Sequence, residues 1–578
     1  MMRLQSRALA LGLSGAIAGV RAVTLAEICT VDYVTAALPT EDLGLAVTID
    51  SSSVTVALAT NKTISSNWYP TAVVDYCTAI FAYSHNGLTD DLVHVSYLIP
   101  APDKFSNRYF SSGGGGLAIN SGTQYAVNGV SVGAVSGITD GGFGSFNTQY
   151  DAVFLEANGT VNWQATYMFG YQAHHELVVL GKQFARNLFS VPAEDKVFAY
   201  YQGCSEGGRE GWSQAQRFTE FDGLVTGAPA FRFSQLQVNH LSGAVIELQA
   251  GYAPPTCELE KIRNLTIAAC DGLDGKVDGV VARTELCKLQ FDYESTIGQP
   301  YSCAASTGGG FPGGGGGGTT PAQNGTITAE GVAVAKAFTE GIKDSTGRQI
   351  YFNPQPGSNF ADARTTYNAD SQSWETMITG LGGEWVARYL QLRDQSNLET
   401  LEGVTTDQLR DWMAQGMLKY YDSLQTTWPD LTDLEAAGSK VLHVHGEADS
   451  SIPAASSVRY YESVRQIMYG DLAYDEATAA LDDFYRFFIV PGGEHCNANS
   501  AQPNGGWPQT TLQTVIEWVE EGVAPATLNN TGTGISSLCR WPLRPLWSGN
   551  STSVDCVFDQ KSIDAWQYKL DAFKFPVY

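Results

Sequence analysis

The chain is 578 residues long and 43% hydrophobic, enough apolar material for a large core and too many residues for one compact domain. It carries 60 acidic against 34 basic side chains, a formal net charge of -26. That charge repels nucleic acid and anionic membranes, so neither is an expected partner, and it suits a protein that must stay soluble outside the cell.

Arg3 and Arg7 precede the apolar run Ala8 to Val20, and Val20-Arg21-Ala22 places small or β-branched residues where a signal peptidase needs them. This predicts a signal peptide over 1–22, cut after Ala22. The alternative, a membrane anchor, would need a longer apolar run to span a bilayer. Ten cysteines, an even number, agree with secretion. So do six Asn-X-Ser/Thr sequons, at Asn61, Asn158, Asn264, Asn324, Asn529 and Asn550. The mature protein is expected to be extracellular, disulfide-bonded and N-glycosylated. A homo-oligomer is left open.

Further along, Leu45 to Ile49 and Leu92 to Ile99 are β-rich and read as early strands. Asn107 to Ser112 reads as a strand running into the glycine loop Gly113 to Gly116. Gln172 to Arg186 has helical spacing, Lys196 to Tyr201 is a short strand, and Arg209 to Arg217 is a helix. Strand, tight glycine turn and helix make the unit of a mostly parallel sheet. After Pro229 the pattern breaks into scattered helices and Asp-Gly turns, and it returns at Lys440 to His445, Phe484 to Val490 and the helix Thr511 to Glu521. The expected architecture is therefore α/β, an α/β-hydrolase fold. Residues 23–229 and 438–578 form its catalytic domain, and 230–437 an inserted lid. Within the lid, Gly308 to Gly318, broken by Phe311 and Pro312, reads as a flexible linker. It lacks the Gly-Lys-Ser/Thr ending of a phosphate-binding loop.

Gly203-Cys204-Ser205-Glu206-Gly207 fits G-x-S-x-G. Glycines let the chain make the strained strand-to-helix turn that lifts a serine hydroxyl above the sheet at a helix N-terminus. Ser205 is thus the candidate nucleophile, and a serine needs a base to take its proton. In this fold the order along the chain is Ser, acid, His. His495 alone follows the acid candidates; His85, His94, His174, His175, His240, His443 and His445 all precede them. His174-His175-Glu176 is not the H-E-x-x-H zinc motif and reads as a packed or capping pair. The acid should lie after the strand ending at His445, which offers Glu447 and Asp449. Asp449 is favoured because it lies farther into the loop, with Glu447 as the alternative. Cys204 precedes the nucleophile and Cys496 follows the base, so a correct triad forces the two together. Their disulfide would add about 5–6 kcal/mol in the chain-entropy model. The oxyanion hole needs two backbone N–H donors: Glu206, and one from Gly113, Gly114, Gly115 or Gly116.

Cys204-Ser205-Glu206-Gly207-Gly208, His445-Gly446 through Asp449 to Ile452-Pro453, and His495-Cys496 resemble the elbow, acid loop and base of the tannase and feruloyl esterase family. The resemblance selects Asp449 over Glu447 and implies a Cys204–Cys496 bridge. Ala82 to Leu88, Pro102 to Phe105 and the intact Gly113 to Gly116 are most similar to the family's fungal tannases. These imply hydrolysis of galloyl esters and depsides of phenolic, small-molecule substrates. Feruloyl or chlorogenate esters are the alternative substrates, and a catalytically dead binding protein is a third reading. Those tannases resemble precursors cut at a basic site in the lid; no dibasic pair occurs in this lid, where the polyglycine run stands instead.

The resemblance also implies a structural calcium in the lid, held by Asp271, Asp274 and Asp278 with the carbonyls of Lys276 and Val280, an all-oxygen set suited to a hard cation. No organic cofactor is expected. Cys29 is expected to pair with Cys77, Cys270 with Cys287 and Cys539 with Cys556, which leaves Cys257 with Cys303 by exclusion.

Overall fold

The computed structural model describes residues 23–307, 319–548 and 553–578. The expected signal peptide, the polyglycine linker and the Asn550 sequon lie outside these residues.

Nine strands make one sheet. In chain order they are β1 (Val47–Ser66), β2 (Tyr69–His85), β3 (Val93–Pro100), β4 (Arg108–Ser112), β5 (Ala134–Thr139), β6 (Phe198–Cys204), β7 (Gly223–Gly227), β8 (Lys440–Gly446) and β9 (Tyr485–Val490). Their spatial order is β1-β2-β3-β5-β4-β6-β7-β8-β9. The first four in space pair antiparallel, and from β5 onward every pairing is parallel. The parallel half is buried on both faces, as its continuous apolar strands require. Side chains alternate between the two faces with period two: Tyr201, Leu224 and Val441 enter one core, Tyr200, Val225 and Leu442 the other. Among the helices that flank the sheet are α1 (Thr123–Ser131), α2 (Ala173–Leu188), α3 (Glu206–Arg217) and α4 (Thr511–Glu521). Leu177 of α2 and Trp212 of α3 join the first core; Val127 of α1 and Val515 of α4 join the second.

The long β1–β2 hairpin exceeds the short early strands expected, because β1 keeps pairing through three register shifts that absorb its twist. All strands of the main sheet lie within 47–227 and 440–490. The stretch between contributes helices such as Phe233–Asn239, Thr256–Cys270 and Thr406–Lys419, with small two-stranded pairs. Five disulfides form, Cys29–Cys77, Cys204–Cys496, Cys257–Cys303, Cys270–Cys287 and Cys539–Cys556, each as expected. Among the described residues no helix is long and apolar enough to cross a membrane.

Candidate active site

Strand β6 ends at Cys204 and α3 begins at Glu206, so Ser205 occupies the turn between them. Its φ of 64° and ψ of −121° are a conformation that a side chain rarely adopts. The turn is held by Ser205 N–H donating to the Gly227 carbonyl (3.0 Å) and by Ala230 N–H donating to the Ser205 carbonyl (3.1 Å). The helix starts three residues earlier than its sequence pattern indicates. Gly207 and Gly208 join the first turn because neighbours crowd them: a Cβ at Gly208 would lie 2.4 Å from the Gly227 carbonyl oxygen.

His495 lies on the loop after β9 and Asp449 on the loop after β8. Adjacent parallel strands bring the two loops to the same sheet edge, where Ala448 N–H donates to the Gly493 carbonyl (2.8 Å). His495 Nε2 stands 2.9 Å from Ser205 Oγ and Nδ1 stands 2.8 Å from Asp449 Oδ2. The remaining oxygen of Asp449, Oδ1, accepts the N–H groups of Ser451 and Ile452, both at 2.9 Å. Burial alone would raise the carboxyl pKa. The nearby His495 charge and hydrogen bonds from His445 and His495 overcome it and hold Asp449 well below the usual range. For His495, burial disfavours the cation, but the adjacent Asp449 charge and hydrogen bond raise its pKa above the ordinary imidazole value.

Glu447, the alternative acid, does not reach the imidazole. It is buried in another direction, where Oε1 accepts from Thr284 N–H (3.2 Å), Thr284 Oγ1 (2.6 Å) and Arg544 Nη2 (2.5 Å). Sequence order set aside His443 and His445, yet His445 Nε2 lies 3.2 Å from Asp449 Oδ2. His445 Nδ1 continues to Ser457 Oγ (2.7 Å), which meets His443 Nε2 (2.9 Å). The alternation of β8 was the available signal, since it turns both imidazoles to one side. The Cys204–Cys496 bridge joins the nucleophile and base loops across a sequence separation of 292, and Asn67 Nδ2 donates to the Cys496 carbonyl (2.6 Å).

The glycine loop corrects part of the oxyanion expectation. Gly113 N–H donates to the Gln202 carbonyl (3.4 Å), Gly114 N–H to Glu210 Oε2 (2.8 Å) and Gly115 N–H to the Ala118 carbonyl (3.1 Å). Three of the four candidate donors are thus engaged within the protein, and Gly116 is the remaining glycine. Gly113 and Gly114 are needed for close packing: a Cβ at Gly114 would sit 1.8 Å from the Ala118 carbonyl oxygen. Glu206, first in α3, has an N–H that its own helix cannot satisfy.

His174 and His175 form the packed pair expected. His174 is fully buried against Glu210, and the His175 ring stacks on Phe218 at 3.8 Å.

The Asp-rich loop 271–280 folds around its own amides. Asp271 Oδ1 accepts from Asp278 N–H and Gly279 N–H (both 2.9 Å), and from Val280 N–H (3.3 Å). Asp278 Oδ2 pairs with Lys276 Nζ at 3.2 Å. Asp274 Oδ1 accepts from Lys276 N–H (2.8 Å), while Oδ2 is buried with no partner among the described residues. Burial, with Asp278 and Asp271 nearby, pushes the Asp274 carboxyl up to about 7. Among the described residues no three His, Cys, Asp or Glu side chains converge as a metal-holding group. Any cation here therefore depends on carbonyl oxygens as well; the orphaned Asp274 oxygen fits such a hard ion. Asn61, Asn158, Asn264, Asn324 and Asn529 are all exposed.

Residues 78–563 match the family described as tannase and feruloyl esterase. The chain is 48% identical to a tannase of Aspergillus oryzae across the whole of both chains. It is 27% identical to feruloyl esterase C of Talaromyces stipitatus over 78% of this chain and 80% of that protein. Among solved structures, tannin acyl hydrolase from Aspergillus niger superposes with a TM-score of 0.92 and 52% identity, covering 96% of this chain and 99% of that one.

Proposed function

The chain belongs to the tannase and feruloyl esterase family and is a carboxylic ester hydrolase, and we propose that it cleaves galloyl esters and depsides through an acyl-enzyme on Ser205. The observation that carries the mechanism is the unbroken chain Ser205 Oγ, His495, Asp449, with links of 2.9 and 2.8 Å. His495 takes the hydroxyl proton as Ser205 attacks the ester carbonyl, then returns it to the leaving alcohol. Asp449 holds Nδ1–H and stabilises the imidazolium. The Glu206 N–H, with Gly116 as the remaining glycine donor, receives the charge on the tetrahedral oxygen. Water then attacks the acyl-enzyme by the same relay and releases the phenolic acid.

The galloyl preference rests on the full-length likeness to a tannase. A site that hydrogen-bonds phenol hydroxyls leaves buried partners unmatched when a methyl replaces a proton, a mismatch that can cost about 10⁴ in kcat/KM. Methyl gallate should be cleaved far faster than methyl ferulate, and methyl trimethoxybenzoate barely at all. If kcat/KM for methyl ferulate equals or exceeds that for methyl gallate, the feruloyl esterase reading replaces this one, with the same triad.

The setting is extracellular, in keeping with the five disulfides, and the exposed sequons are the glycan sites. A calcium ion at the loop of Asp271, Asp274, Lys276, Asp278 and Val280 would brace the lid and supply no reacting group; since the three carboxylates do not converge among the described residues, it would centre on Asp274 and lean on backbone carbonyls. The unpartnered Asp274 oxygen supports it.

A further inference from the structure

Glu210 lies one turn beyond the nucleophile on α3 and is completely buried. Its Oε2 accepts from Gly114 N–H at 2.8 Å and stands 3.1 Å from His174 Nε2, with Tyr201 Oη at 3.4 Å; its Oε1 has no partner among the described residues. His174, on α2 and equally buried, places the same Nε2 3.3 Å from the Ile119 carbonyl. Both neighbours of Nε2 are acceptors, so Nε2 carries the proton and donates. The two side chains therefore grip opposite ends of one loop. Glu210 holds its start at Gly114 and His174 holds its end at Ile119, and each holds the other.

Between these anchors the loop closes on itself through Gly115 N–H to the Ala118 carbonyl (3.1 Å) and Ala118 N–H back to the Gly115 carbonyl (3.0 Å). Gly207 N–H of α3 also donates to the Gly114 carbonyl at 3.0 Å. The fit is close: a Cβ at Gly113 would lie 2.4 Å from Glu210 Oε2 and 2.0 Å from Tyr201 Oη. A buried carboxylate and imidazole are costly groups to place in a core. Among the described residues neither touches the triad, and neither pairs with a cationic Lys or Arg.

We propose that Glu210 and His174 are positioning residues for the oxyanion hole, a buried couple that fixes the 113–119 loop against the nucleophile helix so that the Gly116 amide faces the tetrahedral oxygen. The proposal rests on the oxyanion role assigned above to that loop and to Glu206. It assigns a reason to the His174-His175-Glu176 run, which the triad leaves unused. A preorganised donor stabilises charge that develops only in the transition state, so loosening the loop should lower kcat and leave ground-state binding alone.

The test compares Glu210→Ala, Glu210→Gln, His174→Ala and His174→Gln, each checked for folding by near-UV circular dichroism. It uses p-nitrophenyl acetate, so it stays readable if the galloyl preference is wrong. In Glu210→Ala, kcat should fall by about 10²–10³ with KM little changed. Binding of benzeneboronic acid, which forms a tetrahedral adduct on Ser205, should weaken by a similar factor. Binding of benzoate, a planar product mimic, should stay within about threefold, because the loop matters to the tetrahedral oxygen alone. The acid limb of the pH profile should not move, since His495 and Asp449 are untouched. Glu210→Gln should recover at least about tenfold over Glu210→Ala, because the amide oxygen still accepts from Gly114 N–H and His174. His174→Gln, which keeps a donor near Nε2, should likewise exceed His174→Ala. If Glu210→Ala fails to fold, Glu210→Gln against wild type and the His174 pair carry the same readouts. Equal weakening of boronate and benzoate, conservative variants no better than the alanines, or wild-type kcat in a folded alanine variant would each overturn the proposal. Loss of all activity in Ser205→Ala with these outcomes would leave the hydrolase reading standing.

Discussion

Asp449 in the acid loop and Asp274 in the Asp-rich loop 271–280 are both buried aspartates on turns, yet their carboxyls are driven in opposite directions. Asp449 faces two imidazoles and two backbone amides, and its pKa is held far down. Asp274 faces two further carboxylates and leaves one oxygen without a partner among the described residues, and its pKa is pushed up to about 7. Burial penalises both charges alike; the surroundings decide the outcome. In the acid loop the protein supplies every compensating group itself. In the lid loop it supplies amides and one lysine, which leaves a deficit that an added cation would fill.

The comparison breaks most severely if Asp449 loses its charge. Asp449→Asn should lower kcat by about 10⁴, because the amide favours the wrong imidazole tautomer and no longer stabilises the imidazolium. The pH profile carries a second signature. His495 is raised by the Asp449 charge, so the free base that takes the Ser205 proton is populated only above that raised value. Removing the charge lowers the pKa, and the acid limb of kcat/KM should move to lower pH in the residual activity. An acid limb that stays in place would mean that Asp449 does not tune His495.

A smaller effect separates Asp449 from its neighbour. Glu447 holds Arg544 and Thr284 in a network that also includes Glu285 and Arg283. Glu447→Ala leaves buried charge less well compensated, which should cost about 3–5 kcal/mol of stability. Per folded molecule, kcat should stay within about tenfold of wild type, since the triad keeps all its members. A larger loss of kcat at full folding would give Glu447 a part in the chemistry.

Much of this site was readable from the chain. Gly203 to Gly208 names the elbow because no bulkier set of neighbours permits that turn, and the order of acid and base follows from the parallel topology. Cys204 and Cys496 were legible because each adjoins a triad member. His445 was not, since order along the chain excluded it and only the tight turn after β8 folds Asp449, four residues on, back against its ring. The oxyanion glycines were legible as a group but not singly. Which amide is free depends on Glu210, a residue nearly a hundred positions away whose role no local pattern carries. The length of β1 escaped as well, because its exposed residues blur the alternation that marks a strand.

The smallest expected effect tests the lid loop. If calcium fills the deficit at Asp274, it binds the folded loop and not the unfolded chain, so it adds stability by mass action. That amounts to about 2.7 kcal/mol at a free concentration a hundredfold above Kd. Exhaustive EDTA treatment should lower Tm by a few degrees in a chain of this size, and added calcium should restore it. At mild temperature kcat should change by less than about twofold, because the ion meets neither Ser205 nor His495 and its loss removes no group from the relay. Asp274→Asn should abolish the calcium dependence of Tm, since it removes the carboxylate whose second oxygen lacks a partner. Asp449→Asn should leave that dependence intact. An unchanged Tm after chelation, with no metal found by elemental analysis, would mean that Asp274 meets its deficit by holding a proton instead. The loop would then lose stability as pH rises through about 7, where the buried carboxyl ionises with no cation beside it. The pH dependence of Tm in saturating calcium, compared between wild type and Asp274→Asn, separates the two cases: a bound cation removes the loss near 7, and a proton alone does not.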